Sequence, residues 1–440
     1  MKLTTLLLLT IPLLLPAQEK FLTLNKAWET ALESNPTEEI AQARLEQAEA
    51  RYQQARSNYQ PSLSLNVTGS RLDYSDSYLE LLPSGYPDSE QRFDADLQAT
   101  WVLWDSGSRK NQVASARFLS EASEAALLDS REQLLYEVGR AFTSAQLSRA
   151  NLRITEADAE FQNRQLENSI RKEKAGLDSR TDRLNFEIRK LAAESTSVQQ
   201  EANYISAMAA LEALLGQPED QALPPPVMLE PEDKSLPEEI PDVDQLWEQA
   251  KLTLPLLRQS ELEVEAARAS VSAFEGEYGP DLSLFGNLTA EREDDPAFGG
   301  GDLGNSVGIQ LSWDLWTGDA RKQRVLEAEA QLRETEAYAR QVQLQTLSVI
   351  KQAHTEYTAS VQTEALSSKT FELSEENRDL IESSYEAGRE DLLRLNEAQR
   401  DFNNAGSRYV TARLQRQLAW IRLQQATGTL RSKVKVPEQK

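Results

Sequence analysis

Residues that could carry chemistry are few in this chain, and none of them forms a catalytic motif. The 440 residues include no cysteine and a single histidine, His354, which lies in a helix-forming stretch where a packing role is expected. The glycine run at Gly299–Gly301 has no helix start behind it, so a hairpin loop fits it better than a phosphate cradle. The neighbouring Asp294 and Asp295 suit a solvated loop better than a metal site. The sequence also has no Walker loop, zinc-protease motif, serine nucleophile elbow or paired-cysteine motif. We therefore expect no catalytic residue, cofactor or metal, and a protein that is not an enzyme.

The composition is that of an acidic, exported chain. There are 71 acidic against 47 basic residues, a net charge of −24, so nucleic acid would be repelled and is not expected as a partner. Residues 1–17 read as a signal peptide: Met1-Lys2, an apolar run, then Pro16 and Ala17. No later stretch stays apolar for 18 residues, so any membrane-spanning part of the mature chain would have to use strands.

One strand leading into one very long helix is the recurring unit that would have to position any functional residue. Apolar side chains alternate along Val307–Leu315, the period of a strand with one apolar face. After Gly318 no glycine or proline occurs until Gly388, and helix-forming residues dominate. A helix of roughly 70 residues would be about 100 Å long. A compact domain does not need a helix of that length.

The same unit occurs twice. The segment Trp101–Lys110 matches Trp313–Lys322 at an offset of 212 residues, and Gly176 matches Gly388 at the same offset. This internal repeat predicts a domain order that we write as residue ranges. A signal peptide (1–17) precedes the first repeat (18–216), which contains a β-hairpin at about 62–104 and a helical hairpin at about 108–215. A proline-rich linker (217–242) joins it to the second repeat (243–430), which contains a β-hairpin at about 282–316 and a helical hairpin at about 318–427. A tail (431–440) follows.

Heptad patterns along the returning helices predict close helix packing. In the first repeat a seam of large apolar residues recurs every seventh position: Leu177, Leu184, Leu191, Val198 and Ile205. In the second repeat a row of large residues, interrupted by Arg416, lies beside a row of alanines: Leu395, Phe402, Tyr409 and Leu423, then Ala398, Ala405, Ala412 and Ala419. A soluble coiled coil also shows a heptad pattern, so the heptads alone do not distinguish it from a membrane protein. The predicted strands make that distinction. Near the N-terminus, Thr37 is predicted to cap the second helix.

The strands imply a membrane and more than one chain. Four strands of about 9 to 12 residues are long enough to cross a bilayer at a tilt. A four-stranded sheet has open edges and cannot close by itself, so several chains must contribute. Closure alone leaves two, three or four chains open, and three would give twelve strands. Leu97 and Ile309 are assigned to the lipid face and Asp96 to the lumen face. The tryptophans at the strand–helix junctions are predicted membrane-interface aromatics: Trp101, Trp104, Trp313 and Trp316.

The order and duplication of these motifs resemble the TolC family of outer-membrane efflux proteins, the outer membrane factors. The resemblance rests on the two Trp-x-Leu-Trp motifs, the glycines Gly176 and Gly388, the closing Gly428–Leu430 and the start Leu24–Pro36, and it covers nearly the whole mature chain. It implies a mainly α protein with transmembrane β: a long-helix α-barrel of coiled-coil helices continuous with a trimeric 12-stranded β-barrel, four strands per chain. It also implies a homotrimer in the cell outer membrane with a long periplasmic helical domain.

The function implied by the resemblance is that of a passive exit duct in a tripartite efflux or export system. The implied partners are outer-membrane lipid, a periplasmic membrane-fusion adaptor protein and an inner-membrane pump of the RND, ABC or MFS type. Two alternatives remain: the outer-membrane component of type I protein secretion, which uses the same duct, and a non-channel periplasmic coiled-coil scaffold, which would need no lipid-facing hairpins. The cargo is not readable from the sequence.

The resemblance also implies site residues at the periplasmic end of the helices. Gly176 and Gly388 would form the tip that contacts the adaptor. Arg394 and Glu397 match positions that ring the entrance constriction, where the family carries acidic residues, and Asp182 matches an acidic position in the first repeat. Arg394 departs from that pattern. It could pair with Glu397 and hold the entrance shut, or it could lower the preference for cations. Alternatively, all three are solvated helix charges.

Overall fold

The computed structural model describes residues 21–81, 83–85, 87–176, 179–216, 223–226, 236–237, 239–293 and 295–434. The predicted signal peptide, Leu177, Asp294 and most of the 217–242 segment lie outside these described residues. The first half of the chain has the order α1 (Leu24–Ser34), α2 (Pro36–Ser57), β1 (Ser62–Asp73), α3 (Asp76–Leu79), β2 (Ser89–Trp104), α4 (Ser108–Lys174) and α5 (Arg180–Leu215). The second half has α6 (Val243–Thr253), α7 (Pro255–Gly276), β3 (Asp281–Glu293), a 3₁₀ turn (Gly300–Asp302), β4 (Leu303–Ser312), α8 (Ala320–Glu386), α9 (Leu392–Ala426) and a 3₁₀ turn (Leu430–Lys433). Helices α4 and α8 are each 67 residues long.

The start of α2 corrects the predicted cap. Asn35, not Thr37, occupies the N-cap position: its side-chain oxygen accepts a hydrogen bond from the backbone N–H of Thr37 at 2.8 Å. Pro36 then fills the first helical position, where its missing N–H leaves no donor unsatisfied. The Asn-Pro pair therefore starts the helix before Thr37 is reached. Thr23 caps α1 in the usual way, accepting from the N–H of Lys26 at 3.3 Å.

The chain divides into two compact units that cut across the sequence repeat. The first unit comprises Met1–Glu38, Ser130–Thr253 and Ser348–Lys440, and the second comprises Glu39–Asp129 and Leu254–Leu347. Each unit takes matching parts of both halves of the chain. The second unit holds the sheet, and the first holds the far ends of the long helices together with α5 and α9.

The sheet of the second unit has four antiparallel strands in the order β1-β2-β3-β4. At the helix end β4 is shorter than predicted: it stops at Ser312, so Trp313 and Trp316 lie outside the strand, whereas β2 runs through to Trp104. The reason is strand pairing. A register shift between Val102 and Trp104 keeps Trp104 of β2 opposite Leu282 of β3. β4 has no such shift, and the first residue of β3, Asp281, lies opposite Ser312. Beyond that point Trp313 has no partner strand.

The register places apolar residues opposite apolar residues. Leu97 faces Leu65 on one side and Leu288 on the other, and Ile309 faces Leu284. Asp96 lies on the opposite face of the sheet, because successive residues of a strand alternate between faces. The predicted separation of Leu97 and Ile309 from Asp96 is therefore confirmed. The apolar face is uncovered within one chain, and the most exposed of its side chains, Val307, retains 80% of its accessible area.

The first unit is held by an apolar core around α1, α4 and α5. The indole N–H of Trp28 donates to the backbone oxygen of Leu135 at 2.8 Å. Leu135, Leu211 and Leu215 are fully buried there, and Phe142 is nearly so. Such burial is the main favourable contribution to folding of the unit.

The two heptad predictions have different outcomes. The α9 rows are confirmed, since these members are buried: Leu395, Ala398, Ala405, Ala412, Ala419 and Leu423. The α5 seam stays a prediction, because Leu191 and Val198 are 61% and 66% exposed in one chain and no partner helix covers them there. The described residues that α5 buries are Phe186, Ala193, Met208, Leu211 and Leu215. Along the described part of the predicted seam, the side chains from Leu184 to Ile205 are left exposed.

Candidate functional site

Two tryptophans tie the strands to the preceding helices in the same way in both halves. The indole N–H of Trp101 donates to the backbone oxygen of Tyr59 at 2.8 Å, and that of Trp313 donates to the backbone oxygen of Tyr278 at 3.0 Å. The rings themselves remain exposed, as do those of Trp104 and Trp316. A side chain with an apolar body and a satisfied polar tip suits a boundary between lipid and water.

Buried arginines at the junctions were missed by the sequence reasoning. Arg109 is only 8% exposed, and its Nη1 donates to the backbone oxygens of Asn58 and Val102 at 2.9 and 2.7 Å. Its guanidinium also lies 3.6 Å from the carboxylate of Asp105. The cation therefore has both hydrogen bonds and a counter-ion, as burial of a charge requires.

Arg321 occupies the equivalent place in the second half. It is 7% exposed, donates to the backbone oxygen of Asp314 at 2.7 Å and lies 5.2 Å over the ring of Tyr278. The signal that could have found both arginines was present in the sequence, because they recur at the same offset of 212 residues as the tryptophans.

The turn from strand to helix uses two successive left-handed residues at both junctions. Ser106 and Gly107 have φ of 53° and 88°, and Gly318 and Asp319 have φ of 62° and 65°. Glycine fills the second position in one half and the first position in the other. Short polar side chains tolerate the remaining position. The same sharp turn is thus built from different residue orders.

The tip glycines have the backbone conformation expected of them. Gly176 and Gly388 have φ of 74° and 71°, and each ends a long helix. Their N–H groups donate to the oxygens of Glu173 and Tyr385, both at 3.0 Å. This satisfies carbonyl groups that the helix end would leave without partners. An added Cβ at Gly388 would meet nothing within 4 Å, so the conformation, rather than crowding, favours glycine.

Asp182 lies in the first turn of α5. Its carboxylate accepts from the backbone N–H of Ser179 at 3.4 Å, and its own N–H donates to the Ser179 hydroxyl oxygen at 3.1 Å, which together form a capping box. The Ser179 hydroxyl also donates to the Asp182 carboxylate at 2.6 Å. Asp182 and Asp391, the cap of α9, border one cavity of about 490 Å³ together with Tyr385. The structure therefore brings the start of α5 near the start of α9.

Arg394 and Glu397 form an ion pair within one chain. The Arg394 Nη1 lies 3.8 Å from a carboxylate oxygen of Glu397, one helical turn along α9, and both side chains are exposed. An exposed pair of this kind contributes about 0–1 kcal/mol. The pairing considered from the sequence is thus present within one chain.

The remaining residues considered for catalysis or metal binding have local structural roles. Gly299–Gly301 belongs to the turn before β4, where the N–H of Gly299 donates to Asp302 at 2.7 Å. Asp295 and Asp302 each lie 3.5 Å from Arg292. His354 is half-buried on α8. In the described ranges no group of three or more metal-ligating side chains comes together.

Across the part of the chain that the structure describes, no helix combines the length and the apolar character needed to cross a membrane.

The fold is that of outer-membrane channels. The CmeC outer membrane channel of Campylobacter jejuni has a TM-score of 0.80 at 16% identity, covering 92% of this chain and 86% of that one. The open-state MtrE outer membrane channel of Neisseria gonorrhoeae has a TM-score of 0.76 at 19% identity, covering 92% and 89%. The expected TolC-like architecture of long helices and a small sheet is confirmed.

The sequence comparison identifies the family. A family model described as outer membrane efflux protein matches residues 27–217 and 246–429, and the chain therefore belongs to this family. Protein CyaE of Bordetella pertussis is 28% identical over 337 residues, covering 75% of this chain and 69% of that protein. The chain is an outer-membrane exit duct for efflux or export, and its family consists of channels rather than enzymes. The scaffold alternative is set aside.

Proposed function

We propose that three copies of this chain form a homotrimer whose twelve strands close one β-barrel in the outer membrane. The long helices form a periplasmic tunnel below it. The trimer is the passive conduit of a tripartite system, in which an inner-membrane pump of the RND, ABC or MFS type and a periplasmic membrane-fusion adaptor protein deliver the cargo.

The observation that carries this proposal is the uncovered apolar face of the sheet. In water such a face would be an association site, and in a bilayer it is covered by lipid. The edge strands β1 and β4 also expose unpaired backbone groups, which hydrocarbon cannot satisfy. Pairing β1 of one copy with β4 of the next removes both edges. Asp96 and its row then face the water-filled lumen.

Exposed apolar stripes on the helices support the same assembly. The α5 stripe consists of Leu184, Leu191, Val198 and Ile205, and the α8 stripe consists of Leu366, Leu373 and Leu380. Both have the seven-residue spacing of helices that pack against a partner. We assign these stripes to contacts between neighbouring copies.

The remaining site assignments follow from that placement. The tryptophans Trp101, Trp104, Trp313 and Trp316 are the aromatic residues of the periplasmic membrane interface. The tips at Gly176 and Gly388 contact the adaptor. Arg394, Glu397 and Asp182 ring the entrance at the same end of the helices.

Cysteine cross-linking tests the assembly directly, because the chain has no cysteine of its own. Ser64 lies on β1 and Ser306 on β4, both on the polar face of the sheet. A Ser64→Cys, Ser306→Cys double variant treated with a short bis-maleimide in isolated outer membranes is expected to yield a covalent trimer. Each single variant is the matched control and should give no trimer. A ladder that stops at the monomer or dimer would refute closure by three copies, as would recovery of the chain in the soluble periplasmic fraction.

A further inference from the structure

The first unit contains a cavity lined by aromatic and basic side chains, although the chain as a whole is acidic. It lies among α4, α8 and α9 and has a volume of about 480 Å³, within the range of small-molecule sites. Its walls are aromatic: Phe161, Phe371, Phe402 and Tyr409. The Phe371 ring stacks on Phe402 and on Tyr409, with centroid distances of 5.4 and 5.7 Å.

Gly406 keeps this cavity open. A Cβ at that position would lie 3.2 Å from the Phe371 ring and 3.8 Å from Cδ1 of Ile154, and both residues line the cavity. A larger side chain at Gly406 would therefore occupy the space beside the aromatic wall or displace Phe371.

The rim of the cavity is cationic. Three arginines border it: Arg153, Arg164 and Arg378. The guanidinium of Arg378 lies 4.4 Å over the Phe402 ring and 2.7 Å from the carboxylate of Asp379, while Arg164 lies 3.2 Å from Glu160. Arg153 has no ion pair with any residue in the described ranges. Its charge lies near Arg149, whose pKa is lowered first by burial and second by Arg153.

One carboxylate, that of Asp158, also lines the cavity, and its Oδ1 accepts hydrogen bonds from the side-chain amides of Gln399 and Gln162, at 3.1 and 3.4 Å. The three arginines outnumber this carboxylate along the lining, so its formal charge is positive.

We propose that this cavity binds an organic anion with a flat apolar body, one molecule per chain. The body lies against the Phe371, Phe402 and Tyr409 rings, and the anionic group is attracted to Arg153. Aromatic stacking and a charge-assisted hydrogen bond are the interactions that such a ligand forms. All the residues that line the site belong to one chain.

Calorimetric titration of the purified full-length protein in lipid nanodiscs tests the site, with sodium 2-naphthalenesulfonate as the probe and empty nanodiscs as the blank. The expected result is saturable binding with one site per chain. The uncharged 2-naphthalenemethanol should bind roughly tenfold more weakly, since it cannot form the charge-assisted contact. Equal affinity for the two probes, or no saturable binding, would overturn the proposal. The second result is also expected if a neighbouring copy fills the cavity.

Variants locate the binding to this cavity. Arg153→Gln should weaken sulfonate binding by about tenfold and leave naphthalenemethanol binding unchanged, and Arg153→Lys should restore most of the loss. Gly406→Leu should abolish binding of both probes. Arg400→Gln is the matched control, because Arg400 is an exposed arginine on α9 that does not line this cavity. If Arg400→Gln weakens binding as much as Arg153→Gln does, the effect is one of general charge and the site is wrong.

Discussion

The guanidinium of Arg109 lies 4.5 Å from the centre of the Tyr59 ring, and the second half of the chain repeats this contact between Arg321 and Tyr278. In both halves the same tyrosine also accepts a tryptophan N–H through its backbone oxygen. The arginine, the tyrosine and the tryptophan thus join the end of a helix, a strand and the start of the next long helix. This arrangement sets the point where each strand passes into each helix.

We predict that Arg109→Ala destabilises the folded protein by about 2–4 kcal/mol. The change removes the cation–π contact and leaves the backbone oxygens of Asn58 and Val102 without their donor. The measurement is the temperature at which the proposed trimer dissociates in SDS-containing gels, with Lys110→Ala, an exposed neighbour, as the control. Equal shifts for the two variants would show that the junction does not depend on Arg109.

The faces of the sheet provide a second prediction. Leu97→Arg should impair insertion into the outer membrane, at a cost of roughly 2–4 kcal/mol near the bilayer midplane. Asp96→Arg, which introduces the same side chain one residue away on the opposite face, should assemble normally. The yield of trimer in purified outer membranes distinguishes the two variants. Similar yields would mean that the apolar face is not turned to lipid.

The sequence predicted the contacts that depend on residues close together in the chain better than those between residues far apart in it. Alternation along a strand is local, so the separation of Leu97 from Asp96 could be predicted from a few neighbouring residues. The buried rows of α9 follow from a seven-residue period in the same way. The α5 seam has an equally clear period, but it is exposed in the described part of one chain, and a periodicity cannot say which helix will cover it.

Contacts between distant segments were the ones missed. Arg416 was noticed only as an interruption in a heptad row. In the structure it lies 2.8 Å from Glu364 and donates to the backbone oxygens of Leu236 and Pro237, in the segment between the repeats. No local pattern links residues 180 positions apart. The predicted N-cap of α2 was wrong for a different reason. Asn35 and Thr37 are both residue types that cap helices well, and Pro36 selects Asn35 because proline is favoured at the first helical position.

The Tyr357 hydroxyl, which donates to the backbone oxygen of Pro237, predicts a pH dependence. Burial raises the pKa of Tyr357 above its ordinary value of 10.0, although its hydrogen bond and charge interaction with Arg416 act in the opposite direction. A raised pKa means that the folded protein keeps this proton when the unfolded chain has lost it. The contribution to stability is therefore fully present below pH 10 and is lost as the pH rises through the folded value.

The variant Tyr357→Phe isolates this contribution. Below pH 10 it should lower the free energy of unfolding by about 1 kcal/mol, the usual net contribution of one hydrogen bond. The difference from the wild type should shrink as the pH rises above 10. Urea unfolding followed by circular dichroism between pH 8 and pH 11 measures both curves. Tyr338→Phe, an exposed tyrosine on the same helix, is the control. A difference that stays constant over this range would contradict the assignment.

The pair formed by Arg394 and Glu397 provides the last prediction, which rests on their proposed placement around the tunnel entrance. Three-fold symmetry would bring three copies of each residue together, so a pair that contributes little in one chain could hold a marginal closed state. Arg394→Glu replaces the attraction with repulsion between carboxylates. We expect a higher single-channel conductance and a stronger preference for cations in planar bilayers, both most pronounced at low salt, where screening is weak. Arg400→Glu introduces the same charge change elsewhere on α9 and should leave both quantities nearly unchanged. If Arg394→Glu also leaves them unchanged at every salt concentration, these side chains do not line the constriction and are solvated helix charges.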